Sequence, residues 1–207
     1  MSLKQRLLVF VAVLLVAAVA LLSGLSYWQM RTEIVVGVDK EIDSAIRGNR
    51  EALSRWLAQR RDAIDAAANG LAHPGSPIPA LVLGKEAGKY EQTFAGYADK
   101  RMIYHLADKK PPEGYDPTAR PWYKLAAATK ESVVSAPYIF ASTKKLGITV
   151  ARQFEVGGVA AVVGGDISLE EIIALVKAID LRGNGFAFLA TRDGKILAHA
   201  KPESALK

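Results

Sequence analysis

A long apolar segment lies near the start of the chain. Residues 7–28 are apolar almost throughout, and the segment closes on Tyr27 and Trp28. About 20 apolar residues suffice for a helix to cross a bilayer core, and such aromatic residues favour its interface with water. This predicts a transmembrane helix, retained as an anchor in preference to a cleaved signal peptide, whose apolar core is shorter. Lysine and arginine before it, with no acid before Glu33, predict a cytoplasmic N-terminus over 1–6 and an extracytoplasmic remainder.

The segment that follows has a helical period. From residue 32 to 72, apolar residues recur at steps of three and four, and charged residues occupy the positions between them. The pattern predicts one long amphipathic stalk helix, with Gly48 as the point of any break. Turn formers, three of them prolines, fill residues 73–79 and end the helix, because proline cannot continue it. A stalk of this kind is typical of a dimer spacer.

Shorter elements are predicted beyond the stalk. Gly157-Gly158 is a turn between two strands, and Ser168 with Glu171 three residues later is a capping box that opens a helix reaching about residue 179. The other predictions are a helix over 80–95, a strand over 102–106, a loop over 108–117, a helix over 121–129, strands over 132–138, 147–154 and 156–163, and a hairpin of 186–191 with 195–199 around Asp193-Gly194. This order predicts an α+β fold in which helices pack on an antiparallel sheet.

The final hairpin predicts a second module. Two strands alone are marginally stable, so residues 181–207 are expected to begin another sheet whose remaining strands lie outside this sequence. Residues 73–180 are the expected first module.

Composition excludes several classes of function. The 207-residue chain has no cysteine, which excludes disulfides, thiol nucleophiles and cysteine metal sites. Its net charge is +6, but the basic residues are scattered and accompany no recognition motif, so we expect no nucleic-acid partner. The three histidines lie far apart, and no metal, phosphate-loop or nucleophile-elbow motif occurs. We therefore expect neither catalysis, nor a metal, nor a cofactor.

Candidate binding chemistry is concentrated in residues 115–123. Three aromatic residues and Arg120 lie there between and around two prolines, which restrict the backbone. Arginine grips a carboxylate with two donors, and aromatic rings form apolar walls that also attract ammonium groups. Asp166, expected after a buried strand, would provide an anion for an ammonium, and Tyr138 ends another predicted strand. The same residues also fit a packed corner in which Asp166 only caps a turn.

The chain resembles a known sensor family. The run 114–124, followed in order by 136–138, 148–151 and 164–169, is similar to the signature of double Cache domains. These form periplasmic ligand-binding regions of bacterial methyl-accepting chemotaxis proteins, and also occur in sensor kinases and cyclic-dinucleotide enzymes. The resemblance covers roughly residues 30–200. It implies a long helix carrying two PAS-like modules, the membrane-distal one binding the ligand, in a homodimer anchored in the inner membrane.

The resemblance also implies a binding site for a small molecule. In amino-acid-binding members, Arg120 and Trp122 would hold the ligand carboxylate and Asp166 its ammonium, with tyrosines closing the pocket. The implied ligand-binding residues are Tyr115, Arg120, Trp122, Tyr123, Tyr138 and Asp166. The sequence departs from the family pattern at 152–154, at His199-Ala200 and around 101–111. An amine, polyamine or quaternary ammonium ligand therefore stays an alternative to an amino acid, as does the input domain of a kinase or diguanylate cyclase.

Overall fold

Two compact units make up the chain. The computed structural model describes residues 3–178, 188–190 and 196–199. The units are Met1–Glu51 and Ala52–Lys207, and the first helix, α1 (Leu3–Leu71), contributes to both. The helix continues through Gly48 without a break.

The first unit contains a helical segment able to cross a membrane. By length and composition alone, Ala12–Met30 is long and apolar enough to do so. This window overlaps the predicted span over 7–28. Its large apolar side chains, among them Leu15, Leu22 and Trp28, are exposed in the chain itself, which suits contact with lipid.

An antiparallel sheet forms the centre of the second unit. After α1, the elements in chain order are α2 (Ile78–Gly88), β1 (Gln92–Tyr97), β2 (Met102–Tyr104), a 3-10 turn (Pro117–Ala119), α3 (Pro121–Ala127), β3 (Val133–Val134), β4 (Tyr138–Ile139), β5 (Leu146–Val156), β6 (Val159–Ser168), α4 (Leu169–Lys177), β7 (Phe188–Ala190) and β8 (Ile196–His199). The main sheet has the order β2-β1-β6-β5-β3, and β4 also pairs with β5. β7 and β8 form a separate antiparallel pair. The predicted α+β class is confirmed.

The two faces of the main sheet pack on different partners. Successive residues of a strand point to opposite faces, and β6 follows this rule. Val163 belongs to the larger apolar cluster, which includes Ile64 of α1. Its neighbour Val162 belongs to a smaller cluster with Trp122 of α3. Asp166 has the same parity as Val162 and therefore lies on the face that α3 covers.

The largest differences in extent concern three of the predicted elements. The helix predicted over 80–95 ends at Gly88, because Lys89 adopts the left-handed conformation (φ 50°) and the chain then enters β1. The strand predicted over 132–138 is two short strands, β3 and β4, on either side of Pro137, which has no N–H for a ladder. The strand predicted to end at residue 163 continues to Ser168, so Asp166 lies inside β6 and not beyond its end.

Local signals are confirmed elsewhere. Gly157 and Gly158 have φ of 57° and 75°, as a tight turn between twisted strands requires, and they join β5 to β6. The Ser168 side chain accepts a hydrogen bond from the Glu171 N–H at 3.3 Å and starts α4. The two strands of the predicted final hairpin pair, whereas Asp193-Gly194 lies outside the described residues.

Candidate functional site

A row of three polar side chains crosses the sheet. Gln92 of β1 and Thr149 of β5 are the register partners of Asp166 on either side of β6. Directly opposed residues on neighbouring strands share a face and lie within side-chain contact. The Thr149 hydroxyl donates to one oxygen of Asp166 and the Gln92 amide to the other, each at 2.6 Å. All three residues are buried, so the sheet holds a carboxyl group in its interior with a fixed orientation.

Burial governs the protonation of this carboxyl. It raises the pKa of Asp166 from its ordinary 3.8 to about 7, while the hydrogen bonds from Thr149 and Gln92 act in the opposite direction. The charge of Glu91 adds to the rise, and that of Lys109 opposes it. A cationic group brought into contact would favour the ionised form. The geometry therefore suits Asp166 to binding a cation.

The polar row extends beyond these three residues. Thr149 uses its single hydroxyl proton on Asp166, so the Tyr138 hydroxyl, 2.6 Å from the Thr149 oxygen, is the donor between them. Burial raises the pKa of Tyr138, which keeps it protonated. At the other end, the Lys109 ammonium donates to the Gln92 amide oxygen at 2.6 Å. One hydrogen-bonded chain therefore runs from Tyr138 to Lys109 through the carboxyl.

Aromatic side chains close a small cavity over this row. Its lining residues are Gln92, Phe94, Met102, Tyr104, Tyr115, Trp122, Tyr138, Phe140, Ala141, Ser142 and Asp166. The space not filled by atoms is about 220 Å³, including space open to solvent, but the centre of a water molecule reaches only about 10 Å³ of it. That is room for about one water. Any larger ligand must displace side chains as it enters.

The segment 116–122 is shaped to meet the sheet. The Asp116 side chain accepts from the Thr118 N–H at 2.9 Å and starts the 3-10 turn. Gly96 of β1 makes the approach possible, since a Cβ there would lie 2.8 Å from both Pro117 and Trp122. Trp122 is 1% exposed and packs edge-on against the ring of Phe94 at 4.9 Å between centroids.

Arg120 lies beside the cavity but does not line it. Its guanidinium carbon is 5.9 Å from the ring centroid of Tyr115 and 5.5 Å from that of Tyr138, both of which are lining residues. One terminal nitrogen donates to the backbone oxygen of Ile139 at 3.1 Å. The Nε atom is buried and has no hydrogen-bond partner within the described part of the chain. A buried donor of this kind is suited to a ligand acceptor.

Four of the six predicted ligand-binding residues line one cavity: Tyr115, Trp122, Tyr138 and Asp166. Arg120 borders it. Tyr123 does not reach its wall: this residue is 8% exposed and packs edge-on against Trp122 in the smaller apolar cluster. Asp166 is not a turn cap, since it bonds to side chains on both neighbouring strands.

The structure adds contributors that the sequence interpretation missed. The sequence pattern does not identify Gln92, because it predicts a helix over 80–95 where the structure has the start of β1. Without that strand, the register that pairs Gln92 with Asp166 cannot be predicted. Thr149 lies in a run recognised by resemblance, but only the pairing of β5 with β6 gives it a role. Among the described residues, no group of three histidine, cysteine, aspartate or glutamate side chains could hold a metal ion.

The chain is similar in sequence and fold to known proteins. Residues 78–174 match the family model for the first PDC sensor domain of methyl-accepting chemotaxis protein-like proteins. The ligand-binding domain of the Pseudomonas fluorescens chemoreceptor CtaA, in complex with L-valine, is 34% identical and superposes with a TM-score of 0.65 over 75% of this chain and 71% of that one. The chain belongs to this family of chemoreceptor sensor domains. The double Cache resemblance is confirmed.

Two further relatives support the assignment to the chemoreceptor family. The ligand-binding domain of the Pseudomonas aeruginosa amino acid chemoreceptor PctB, in complex with L-Gln, is 30% identical, with a TM-score of 0.68 over 80% of this chain and 69% of that one. The methyl-accepting chemotaxis protein PscA of Pseudomonas syringae pv. tomato is 27% identical over 209 residues. That match covers 99% of this chain but 33% of PscA, so the sensor domain spans about a third of that relative.

Proposed function

We propose that this sensor domain is the extracytoplasmic input of a chemoreceptor and binds the zwitterionic head group of an L-amino acid. The observation that carries the proposal is the buried Asp166 carboxyl, which faces an aromatic cavity bordered by the Arg120 guanidinium. Similar domains of CtaA and PctB were crystallised with L-valine and L-Gln.

The ammonium of the ligand would bind at Asp166. An ionised carboxylate has about four lone-pair positions, and the bonds from Thr149 and Gln92 occupy one on each oxygen. The remaining positions can accept from an ammonium. Aromatic rings around the carboxyl, including Tyr104 and Trp122, add attraction through their negative faces.

The carboxylate of the ligand would bind near Arg120, which borders the cavity beside Tyr115 and Tyr138. The Nε atom of Arg120 is a donor without a partner among the described residues, and the neighbouring Tyr115 hydroxyl is a second donor. Burial raises the pKa of Tyr115, so its proton remains available for donation. Two donors converging on one carboxylate provide both binding energy and orientation.

Binding would be coupled to α1 through Tyr90. The Tyr90 hydroxyl donates to the backbone oxygen of Arg60 on α1 at 2.6 Å, and the next residue, Glu91, donates its N–H to the backbone carbonyl oxygen of Asp166 at 3.0 Å. The cavity is too small for an amino acid without movement of its walls. A ligand that favours the expanded arrangement would therefore shift the end of β1 and, with it, α1, as signalling requires.

An amine is the second candidate ligand. The observation in its favour is that Arg120 does not line the cavity and that one of its terminal nitrogens already donates to the backbone oxygen of Ile139 without any ligand carboxylate. An amine would use Asp166 and the aromatic wall alone.

Calorimetry on the intact chain in lipid nanodiscs tests the proposal. L-valine and isobutylamine share a side chain and an amino group, and differ by the carboxylate. We expect L-valine to bind, Asp166→Asn to abolish binding and Arg120→Ala to weaken it at least tenfold, while Lys124→Ala, at an exposed position on α3, leaves it unchanged. Equal binding of both compounds, insensitive to Arg120→Ala, would favour the amine. Failure of a panel of L-amino acids to bind would refute the amino acid proposal.

We also propose the arrangement in the inner membrane: residues 1–6 in the cytoplasm, a single span, and the sensor domain in the periplasm as a non-enzymatic homodimer. The absence of cysteine permits a direct test. A membrane-impermeant maleimide should label Lys110→Cys in intact cells and leave Gln5→Cys unlabelled. Labelling of Gln5→Cys alone would indicate the opposite orientation, with the N-terminus in the periplasm.

A further inference from the structure

A second cation lies at the rim of the cavity. Lys109 follows β2, and its ammonium donates to the Gln92 amide oxygen at 2.6 Å while lying 4.9 Å from the ring centroid of Tyr104. Gln92 and Tyr104 are both lining residues. An ammonium has three donors, so the contact with Gln92 leaves others to face an entering ligand.

The charges around the cavity do not balance a simple zwitterion. Asp166 would pair with the ligand ammonium and Arg120 with its carboxylate, which leaves Lys109 as one uncompensated positive charge. Glu91, whose charge also acts on Asp166, forms an ion pair with Lys145 at 3.2 Å, so those two charges offset each other. A ligand with one further negative charge would complement the site.

We propose that Lys109 determines the side-chain specificity of the pocket and selects amino acids with an anionic side chain. The inference rests on the proposed function, because it takes the amino acid head group to lie between Asp166 and Arg120. A side-chain carboxylate at the rim would accept a charge-assisted hydrogen bond from Lys109. A cationic side chain would be repelled by the same ammonium, and a neutral one would gain less.

A purely structural role for Lys109 makes a different prediction. The residue also sits in a turn, where its N–H bonds to the Leu106 oxygen at 3.2 Å, and its ammonium tethers this loop to β1 through Gln92. If it only anchors the loop, its removal lowers the affinity for every amino acid alike. The ratio between two ligands of equal shape and different charge separates the two roles.

L-glutamate and L-glutamine provide such a pair. We expect calorimetry on the intact chain in nanodiscs to show L-glutamate bound about tenfold more tightly than L-glutamine, the effect of one charge-assisted hydrogen bond. Lys109→Met should reduce that ratio to about one, and Lys109→Glu should turn the preference toward L-arginine. The matched control is Lys110→Met, at the exposed neighbouring lysine, which should keep the tenfold ratio.

Each outcome is decisive. An unchanged ratio in Lys109→Met, or tighter binding of L-glutamine than of L-glutamate by the unmodified chain, overturns the role of Lys109 while leaving an amino acid sensor in place. Binding of L-glutamate that survives Asp166→Asn overturns the head-group geometry on which both proposals depend. Failure of every amino acid to bind refutes the proposed function itself.

Discussion

The buried carboxyl of Asp166 should make the stability of the sensor domain depend on pH in an unusual direction. Its pKa is about 7 in the folded chain and 3.8 as an ordinary carboxyl. Between these values the folded state holds a proton that the unfolded state has lost. The free energy of unfolding therefore falls as the pH rises, and the stabilisation, complete below pH 3.8, is lost once the pH passes about 7.

The size of the effect follows from the two pKa values. Each pH unit between the two pKa values changes the free energy of unfolding by about 1.36 kcal/mol. The titration of Asp166 therefore lowers the free energy of unfolding by about 4 kcal/mol across the interval. Asp166→Asn removes this titration. The amide also turns a donor toward the Gln92 amide, at a cost of about 1 kcal/mol that does not vary with pH. The slope of the difference between the two proteins, and not its offset, is the diagnostic quantity.

The assay is unfolding of the intact chain by guanidinium, in detergent micelles, followed through tryptophan fluorescence from about pH 4 to about pH 8. All other titrating groups are common to both proteins, so their difference isolates Asp166. We expect the variant to gain on the unmodified chain as the pH rises, becoming the more stable protein near neutrality. Parallel pH profiles would refute the argument, since they would mean that Asp166 titrates normally in the folded chain.

Three other outcomes follow from the same structure. Binding of an ammonium ligand at about pH 6 should release a proton from Asp166, so the calorimetric heat should depend on the ionisation enthalpy of the buffer and the affinity should rise toward about pH 8. Gly96→Ala should destabilise the domain by about 1–3 kcal/mol and weaken binding, because the new methyl group presses on Trp122; an unaffected thermal midpoint would contradict this. Arg60→Met should cost about 1–2 kcal/mol by leaving the Glu171 carboxylate, which is 34% exposed, without the guanidinium of its ion pair, whereas Arg60→Met combined with Glu171→Gln should cost less, as a double-mutant cycle would show.

Local signals made much of the fold predictable. The 3.6-residue period identified α1, two consecutive glycines identified the β5–β6 turn, and Ser168 marked the start of α4. The prediction of β1 failed for a physical reason. All six of its residues are buried, so it lacks the alternation that distinguishes a half-exposed strand from a helix. Only pairing with β2 and β6 defines it.

The residues of the candidate site also divide into those that a local motif predicts and those that only the fold brings together. Tyr115, Arg120 and Trp122 lie within eight residues, so a local motif carries them. Gln92 and Lys109 reach the site through strand register and loop placement, to which no short sequence pattern corresponds. Tyr123 shows the converse: it belongs to the motif, yet α3 directs it into the apolar cluster and away from the cavity.

The polar row across the sheet also limits how such a sensor can change in evolution. Side chains alternate along a strand, so inserting one residue between the Gly157-Gly158 turn and Asp166 would move the carboxyl to the position of Ile167, which faces α1, and place Gly165, which has no side chain, at the cavity. Insertions in this part of β6 are therefore expected to abolish ligand binding. The loop that carries Lys109 is under no such constraint. New ligand preferences should arise in that loop, by substitution or by change of length, while the head-group anchor in β6 stays in place.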